Sequence, residues 1–296
     1  MPPVSGTAPA AHAPAGAALT PTAMRRRVGR WLVDYLTPPV RTTRDGVAMF
    51  HFGRCGSSVL AGMLARTPGL HWDHEVFAGH ALLARAHARG DDTAWSRSRH
   101  FPLAPLPYLR RRMRWAGRAR YGFETKFHHI RANGLTLEGY LAALRALGFT
   151  RFVLLRRRNL LRVVLSSLRA VEDGPHLRAG TAAQARTVEV DVNAVRISGQ
   201  CLGLTALFAQ WEQDCAELRA RLAASELLEL VYEQDVAADP GVAYRRICTF
   251  AGLPAQAVAP TQARTNPFPL KQMLGNPAQV HAALAGTPWA WMLNTD

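Results

Sequence analysis

The sequence has few cysteines and few acidic residues, and it lacks any long apolar run. Its four cysteines, Cys55, Cys201, Cys215 and Cys248, are widely scattered, and no two of them have metal-ligand spacing. Because no secretory signal pattern precedes them, we expect reduced thiols in a cytoplasmic protein. No stretch approaches the roughly 18 apolar residues that a transmembrane helix needs. We therefore expect no membrane span, while peripheral contact with a membrane stays open.

The shortage of acidic residues leaves a strong positive charge. Against 36 Lys and Arg there are 21 Asp and Glu, a net charge of +15. Most of the excess is arginine, which binds phosphate and carboxylate groups bidentately. The charge indicates an acidic partner, which could be a phosphorylated small molecule, a nucleic acid or a membrane surface.

The N-terminal segment has the composition of a tail. Residues 1 to 23 are mostly Pro, Ala, Gly, Ser and Thr and include no acid, and Arg25, Arg26 and Arg27 follow. Such a segment cannot bury enough apolar surface to fold. We expect a disordered basic tail over residues 1–30 and one domain over residues 31–296, and Met24 is an alternative start of the chain.

One stretch is typical of an anion-binding turn. Val47–Phe52 is apolar or aromatic and predicts a buried strand of a parallel sheet, and Val59–Leu64 has helical apolar spacing. Between them lies the turn Gly53-Arg54-Cys55-Gly56-Ser57-Ser58. A glycine-rich turn that opens a helix offers backbone N–H groups and a positive dipole to an anion. The loop differs from a nucleoside triphosphate loop because Ser57 stands where the lysine would be.

A second strand-to-helix unit repeats this pattern. Arg151–Leu155 predicts a strand, and Leu160–Ala170 predicts a helix. Three arginines ending in Arg158 lie between them, and Ser166 follows Arg158 by eight residues. Arginines at the carboxyl end of a strand point at the crevice where open α/β sheets bind ligands. The unit predicts a second anion site on the same sheet.

The remaining pattern predicts an α/β protein in which helices flank a central parallel sheet. Tyr121–Phe127 reads as a strand with Lys126 and His128 at its carboxyl end, and Leu227–Tyr232 reads as another. Helices are predicted over Leu137–Leu147 before Gly148, over residues 193–223, from the Asp239-Pro240 start to Gly252, and after Asn276-Pro277.

Two charged clusters have less specific patterns. His71, Asp73, His74 and Glu75 fit no standard metal-ligand spacing, and we do not predict a metal site there. The arginines of 110–120 could grip nucleic acid or lipid head groups, but a rim that attracts an acidic substrate, or an ordinary solvated face, is favoured.

The motifs together resemble those of sulfotransferases. Phe52–Ser58 looks like the 5′-phosphosulfate loop of that family, and Arg158-Asn159 with Ser166 resembles its 3′-phosphate motif. Tyr232–Asp235 and Phe250–Leu253 resemble two of its later landmarks. The resemblance covers roughly residues 46–294 and is nearest to the bacterial carbohydrate and lipopolysaccharide type.

The resemblance implies a P-loop-like three-layer fold and a reaction. The sulfuryl group of 3′-phosphoadenosine 5′-phosphosulfate (PAPS) would pass in line to a hydroxyl of a carbohydrate, glycolipid or natural product, without a metal and without nucleic acid as partner. Arg54 stands where cytosolic members have a catalytic lysine and would act electrostatically, and Glu75 would be the general base. The donor would be held by these residues: Gly53, Arg54, Cys55, Gly56, Ser57 and Ser58 at the 5′ end, and Arg158 and Ser166 at the 3′ end.

The sequence also departs from the family. The basic Arg-Lys-Gly loop that cytosolic members lay over the cofactor is missing, and Arg264 or Lys271 could replace it. Cys55 takes a position often held by serine, where a helix N-terminus could lower its pKa and favour oxidation.

Two other functions are compatible with the residues. One is a nucleotide or nucleoside kinase with a degenerate phosphate loop, although the Lys-Ser/Thr pair and an evident Mg²⁺-binding acid are missing. The other is a non-enzymatic, arginine-rich nucleic-acid binder. The acceptor and the oligomeric state are not determined by these motifs.

Overall fold

A five-stranded parallel sheet forms the centre of the described structure. The computed structural model describes residues 45–79, 105–173, 186–262 and 267–295. The strand order is β2-β3-β1-β4-β7, and every neighbouring pair in it is parallel. These strands are β1 Gly46–His51, β2 Leu70–Glu75, β3 Arg120–Lys126, β4 Phe149–Arg156 and β7 Leu227–Val231. The predicted tail, residues 1–30, lies outside the described residues.

Helices connect the strands and cover both faces of the sheet. They are α1 Ser57–Leu64, α2 Pro105–Met113, α3 Phe127–Ala132, α4 Leu137–Ala146, α5 Leu160–Asp173, α6 Leu204–Arg221, α7 Pro240–Ala251 and α8 Pro277–Leu284. A separate antiparallel hairpin is formed by β5 Val195–Ile197 and β6 Gln200–Leu202. Among the described residues, none of the helices combines the length and the apolarity that crossing a bilayer would require.

Strand β1 shows why three layers form. All six of its residues are buried. Ala48 and Phe50 pack on one side with residues of α2 to α6 and α8, whereas Val47 and Met49 pack on the other with α1 and α7. Successive side chains of a strand point to opposite faces, so an uninterrupted apolar run suits a strand that is covered on both sides. The predicted three-layer α/β fold with a central parallel sheet is confirmed.

Most predicted elements are confirmed to within a few residues. Gly148 follows α4 at a φ of +90°, and Gly252 ends α7 in the left-handed region at +62°, as expected of residues that stop helices. The side chain of Asp239 caps α7 by accepting a hydrogen bond from the Gly241 amide at 2.8 Å.

The predicted helix over residues 193–223 is wrong in its first part. Residues 195–202 form the β5–β6 hairpin, and the helix begins at Leu204. Ser198 and Gly199 have φ of +57° and +77°, the left-handed pair that a two-residue hairpin turn requires. Val195 and Ile197 are buried, which is the alternation of a strand rather than the period of a helix.

Two elements were missed. Edge strand β2 alternates buried Leu70 and Trp72 with more exposed residues, so it carried a short strand signal. Helix α3 begins at Phe127, the last residue of the predicted strand, and contains His128 and His129.

Candidate functional site

A cavity of about 640 Å³ lies at the carboxyl ends of β1, β2 and β3. Five residues predicted for the site line it: Gly53, Arg54, Ser57, Ser58 and Glu75. The carboxyl ends of parallel strands meet at one edge of a sheet, so residues distant in sequence converge there. The structure thus joins the predicted 5′ loop and the predicted base in one cavity.

The β1–α1 turn, residues 52–56, has an unusual backbone. Gly53, Arg54 and Gly56 have φ of +87°, +56° and +86°. A Cβ at Gly56 would lie 2.8 Å from Cγ1 of Val236, closer than real Cβ contacts come. Glycine is therefore required at 56 for both conformation and space, while Arg54 adopts a conformation that is unfavourable for a residue with a side chain.

Arg54 links the two predicted anion sites. Its Nε donates a hydrogen bond to Oγ of Ser166 at 2.8 Å. Burial lowers the pKa of Arg54 from its usual range, and Cys55 opposes that shift. Cys55 itself is only 1% exposed, so its thiol is shielded from solvent, contrary to the expectation that it is open to oxidation.

The β4–α5 turn, residues 156–160, is built differently. The backbone amides of Arg158 and Asn159 donate to the two carboxylate oxygens of Glu233, at 2.9 and 3.2 Å. Glu233 lies in a single π-helical turn, Tyr232–Val236. The side chain of Arg157 packs over the Tyr232 ring at 4.5 Å, and its Nε lies 3.6 Å from Glu233 Oε1. The segment that follows β7, Tyr232–Val236, thus contacts the second turn and holds its backbone in place.

Arg158 is placed differently from Ser166. The Arg158 side chain is exposed, forms no ion pair with another described residue and does not line the cavity. Ser166 is buried about two turns into α5 and does not line the cavity either, but its hydroxyl accepts the hydrogen bond from Arg54. Arg158 is therefore accessible from solvent, whereas Ser166 is held against the first turn.

Glu75 forms an ion pair inside the cavity. Its Oε2 lies 2.7 Å from Nζ of Lys126 and 3.9 Å from Nε2 of His129. Lys126 also passes over Gly53, because a Cβ there would be 3.4 Å from Lys126 Cε. The lining of the cavity therefore includes the Glu75–Lys126 ion pair together with the side chain of Arg54. Lys126, expected at the carboxyl end of its strand, lies in the site.

Beneath the turn lies a buried pair that the sequence interpretation missed. Glu124 of β3 is 2% exposed, and its carboxylate lies 3.4 Å from Nε2 of His51 and 3.5 Å from Nδ1 of His74. Burial raises the pKa of Glu124, but the two imidazoles lower it by more, so that the pKa falls to about 2. The signal was present: an acid in the middle of an apolar strand needs a partner.

His51 connects Glu124 with the first turn. The amide of Gly53 donates to Nδ1 of His51 at 3.0 Å. Nδ1 is therefore unprotonated, and a neutral imidazole then carries its proton on Nε2, facing Glu124. Burial lowers the pKa of His51, and Cys55 and Glu124 raise it by more, to about 9, which favours an imidazolium. An Nδ1 that accepts the Gly53 amide is unprotonated, however, so this contact identifies the neutral form.

These contacts bear on whether the site could hold a metal. Atoms of His51, Glu75 and Glu124 lie within 4.8 Å of one another, as ligands of one ion would. In the tautomer that accepts the Gly53 amide, however, Nε2 of His51 has a hydrogen in place of a lone pair. Glu75 is already paired with Lys126. The proton on Nε2 and the lysine at Glu75 both make this donor set a poor fit for a cation.

The charged segment 71–75 has a structural contact. Asp73 accepts hydrogen bonds from Nε of Arg112 at 2.7 Å and from the Tyr121 hydroxyl at 2.6 Å. Burial raises the pKa of Asp73, and Arg112 lowers it more, so the net shift is downward. One arginine of the predicted basic cluster is thus used in a partly buried ion pair rather than on a solvated face.

Of the two residues predicted to close over the cofactor, one lies away from the cavity and the other stays a prediction. Lys271 is exposed and does not line the cavity, and Arg264 lies outside the described residues. Arg196 of the hairpin lines the cavity instead, together with Ser198. The helix wrongly predicted over this segment concealed its position.

Comparisons with known proteins gave matches among solved structures alone. No family model matches the chain, and no curated protein sequence matches it. A sulfotransferase domain from the Synechococcus PCC 7002 olefin synthase is 16% identical, with a TM-score of 0.45, over 88% of this chain and 98% of that one. A sulfotransferase from Alicyclobacillus acidocaldarius is 11% identical, with a TM-score of 0.38, over 86% and 98%. Sulfotransferase STF1 from Mycobacterium tuberculosis H37Rv is 11% identical, with a TM-score of 0.44, over 79% and 73%.

Proposed function

We propose that this chain is a PAPS-dependent sulfotransferase that acts on a hydroxyl of a carbohydrate, glycolipid or other small molecule. The observation that carries the proposal is the 2.8 Å hydrogen bond from Arg54 to Ser166. It joins the two turns that resemble the 5′ and 3′ halves of a donor site, at a cavity that also contains Glu75.

The residues of the first turn fit the 5′ end of such a donor. A turn with three positive φ values opens helix α1, and Ser57 and Ser58 supply hydroxyls at its start. Backbone N–H groups and the dipole of a helix N-terminus favour a bound phosphate or sulfate. Cys55 and Gly56 would contribute backbone, since Cys55 is buried and Gly56 has no side chain, whereas the amide of Gly53 is bonded to His51 and Gly53 would give the donor room to approach.

The 3′-phosphate would be held by side chains. Arg158 is exposed and carries an unshared charge among the described residues, and Ser166 has a hydroxyl next to Arg54. The amides at the start of α5 are already bonded to Glu233, so they are not the groups that would receive the phosphate.

In the transfer step, the acceptor O–H bond breaks and a new S–O bond forms, while the bond from sulfur to the phosphate oxygen breaks and adenosine 3′,5′-bisphosphate leaves. Negative charge grows on the leaving oxygen, and fixed cations at that position stabilise it. Arg54 would serve this purpose, and because arginine does not give up its proton readily, the role is electrostatic.

Glu75 would take the acceptor proton. Its Oε2 forms an ion pair with Nζ of Lys126 at 2.7 Å, and a paired carboxylate is the form that a base needs. Lys126 also lies next to Gly53, so it orients the base relative to the turn. As the proton arrives on Glu75, the pairing with Lys126 weakens and the lysine charge becomes available to the turn.

The proposal is tested first by donor binding. Adenosine 3′,5′-bisphosphate should raise the melting temperature of the protein, since a ligand that binds only the native state stabilises it. Adenosine 5′-phosphate, which has no 3′-phosphate, should bind wild type about 10-fold or more weakly than the bisphosphate does. In Arg158→Ala, the two nucleotides should bind with about the same affinity. Absence of any shift at millimolar bisphosphate would count decisively against the proposal.

The acceptor is then sought by transfer. Radiolabelled sulfate from PAPS is followed into carbohydrates, glycolipids and hydroxylated natural products, with Glu75→Gln as the inactive control. Incorporation into one class identifies the acceptor. Donor binding without incorporation into any hydroxyl compound would contradict the transfer step.

A further inference from the structure

We infer that His51 and Glu124 are positioning residues that hold the β1–α1 turn in its anion-binding conformation through the amide of Gly53. The inference rests on the proposed function, because the proposed function identifies this turn as the donor site. Neither residue belongs to the motifs that resemble a known family.

The two residues lie directly beneath the turn. His51 is the last residue of β1 and is 0% exposed, and Glu124 is on the adjacent strand β3 at 2%. Register pairs Met49 with Glu124 and His51 with Lys126, so both side chains arise where the strands end under the cavity. Buried polar side chains carry a cost unless they are paired, which makes an accidental histidine and glutamate here unfavourable.

The hydrogen bond from Gly53 to His51 decides where the turn's first peptide points. It holds the Gly53 N–H inward at 3.0 Å while Gly53 and the next residue, Arg54, take φ of +87° and +56°. The left-handed region is unfavourable for Arg54, and such a conformation persists only when its surroundings impose it. Without an acceptor at Nδ1, the turn can relax and move Arg54 away from Ser166.

Glu124 keeps Nδ1 available as an acceptor. Its Oε2 lies 3.4 Å from Nε2 and favours the tautomer whose proton is on that nitrogen. The other groups around the ring are Cys55 of the turn and Glu75 of β2, and His74 contacts Glu124 from the cavity side. A second proton on His51 would take the Nδ1 lone pair and release the Gly53 amide.

Two substitutions of His51 separate positioning from packing. In His51→Asn, the side-chain amide oxygen can take the place of Nδ1, but nothing reaches Glu124. In His51→Gln, the amide extends toward the Nε2 position and no acceptor remains near Gly53. Glutamine is the closer match to histidine in length and volume, so a residue that only fills space would favour it.

Affinity for adenosine 3′,5′-bisphosphate is measured by calorimetry. We expect His51→Asn to bind within about threefold of wild type and His51→Gln to bind about 10-fold or more weakly, because it leaves a buried donor unpaired. Equal affinities, or the reverse order, would overturn the inference. Melting temperatures of both variants identify any general loss of folding.

A second measurement keeps this test separate from that of the proposed function. Hydrogen exchange of the Gly53 amide, followed by mass spectrometry without ligand, should stay slow in wild type and in His51→Asn and become faster in His51→Gln. If wild type binds no bisphosphate, the proposed function fails and exchange alone decides the positioning role. If binding is intact and exchange is the same in all three proteins, the positioning role fails alone.

Discussion

The β1–α1 and β4–α5 turns leave adjacent strands at the same edge of the sheet, but they treat an anion differently. The first has three residues with positive φ and lines the cavity. In the second, the amides of Arg158 and Asn159 are bonded to Glu233. One helix start is thus open to a ligand, and the other is satisfied by a carboxylate of the chain itself.

The comparison teaches how to interpret an arginine-rich helix start. Both turns looked like anion sites because each ends a strand, begins a helix and contains arginine. Glu233 is far away in sequence, and it converts the second turn into a fixed support. Recognition there depends on side chains such as Arg158 and Ser166, whereas the first turn can also use its backbone.

The largest expected effect comes from breaking the first turn with Gly56→Ala. The φ of +86° and a Cβ placed 2.8 Å from Val236 should both strain the turn. We expect a loss of about 1–3 kcal/mol in the free energy of unfolding and no measurable bisphosphate binding. Gly62→Ala in helix α1 is the matched control, because its Cβ would meet only ordinary contact at 3.5 Å. Equal behaviour of the two variants would contradict the account of the turn.

The second largest effect is expected on kcat when the proposed base, Glu75, is replaced. Glu75→Gln should lower kcat by about 10²–10⁴-fold, the usual contribution of a general base, while bisphosphate affinity stays nearly unchanged. Glu189→Gln, at an exposed acid outside the cavity, should have wild-type kcat. An active Glu75→Gln variant would remove Glu75 from the base role and leave only its contact with Lys126.

A smaller effect is expected when the second turn is made to resemble the first. Glu233→Ala leaves the amides of Arg158 and Asn159 without their acceptor, which should cost about 1–2 kcal/mol. Sulfate should then stabilise the variant more than it stabilises wild type, because the opened helix start can bind the ion. Chemical denaturation in chloride measures the cost of the substitution, and the same experiment in sulfate measures the stabilisation by the ion. A sulfate effect equal to that in wild type would show that the two turns differ for another reason.

The last effect is the pH dependence beneath the first turn, which is absent near neutral pH. The pKa of Glu124 is lowered to about 2 in the folded protein from an ordinary 4.5. Its stabilising contribution is therefore complete above pH 4.5 and is lost as the pH falls through about 2. Urea unfolding should show Glu124→Gln to be less dependent on pH than wild type in that range. Parallel curves for the two proteins would contradict the pairing of Glu124 with His51 and His74.

Local signals predicted the parts of the fold that local forces control. The β1–turn–α1 unit, the β4–α5 unit and the Asp239 cap of α7 follow from apolar runs, glycine positions and capping chemistry. The hairpin at 195–202 escaped because its strands have three residues each, too short for alternation to outweigh the helical pattern that follows. Strand β2 escaped in a similar way, since it lies at the edge and buries few of its residues.

The residues of the site also fall into those that local sequence predicts and those that only tertiary contacts determine. Arg54, Ser57 and Ser58 could be chosen from sequence because they follow a buried strand, and Glu75 because it matches the acid implied by the family resemblance. Their convergence in one cavity follows from the parallel sheet. The contacts of His51 with Glu124, Glu233 with the second turn and Arg196 with the cavity could not. Each depends on which side chains of distant elements come into register.

The sequence by itself determined that this chain is an α/β protein with a glycine-rich turn at the end of a buried strand, because apolar period and glycine conformation act over a few residues. The tertiary structure alone decided which helix start remains open, which acid has a lysine partner, and that a buried histidine receives the Gly53 amide. The first two outcomes come from the packing of distant strands and helices, where a shift of a single residue in register would replace the contacts. The third joins residues two apart in sequence, but the histidine is buried against Glu124 of the neighbouring strand, which only the packed sheet provides.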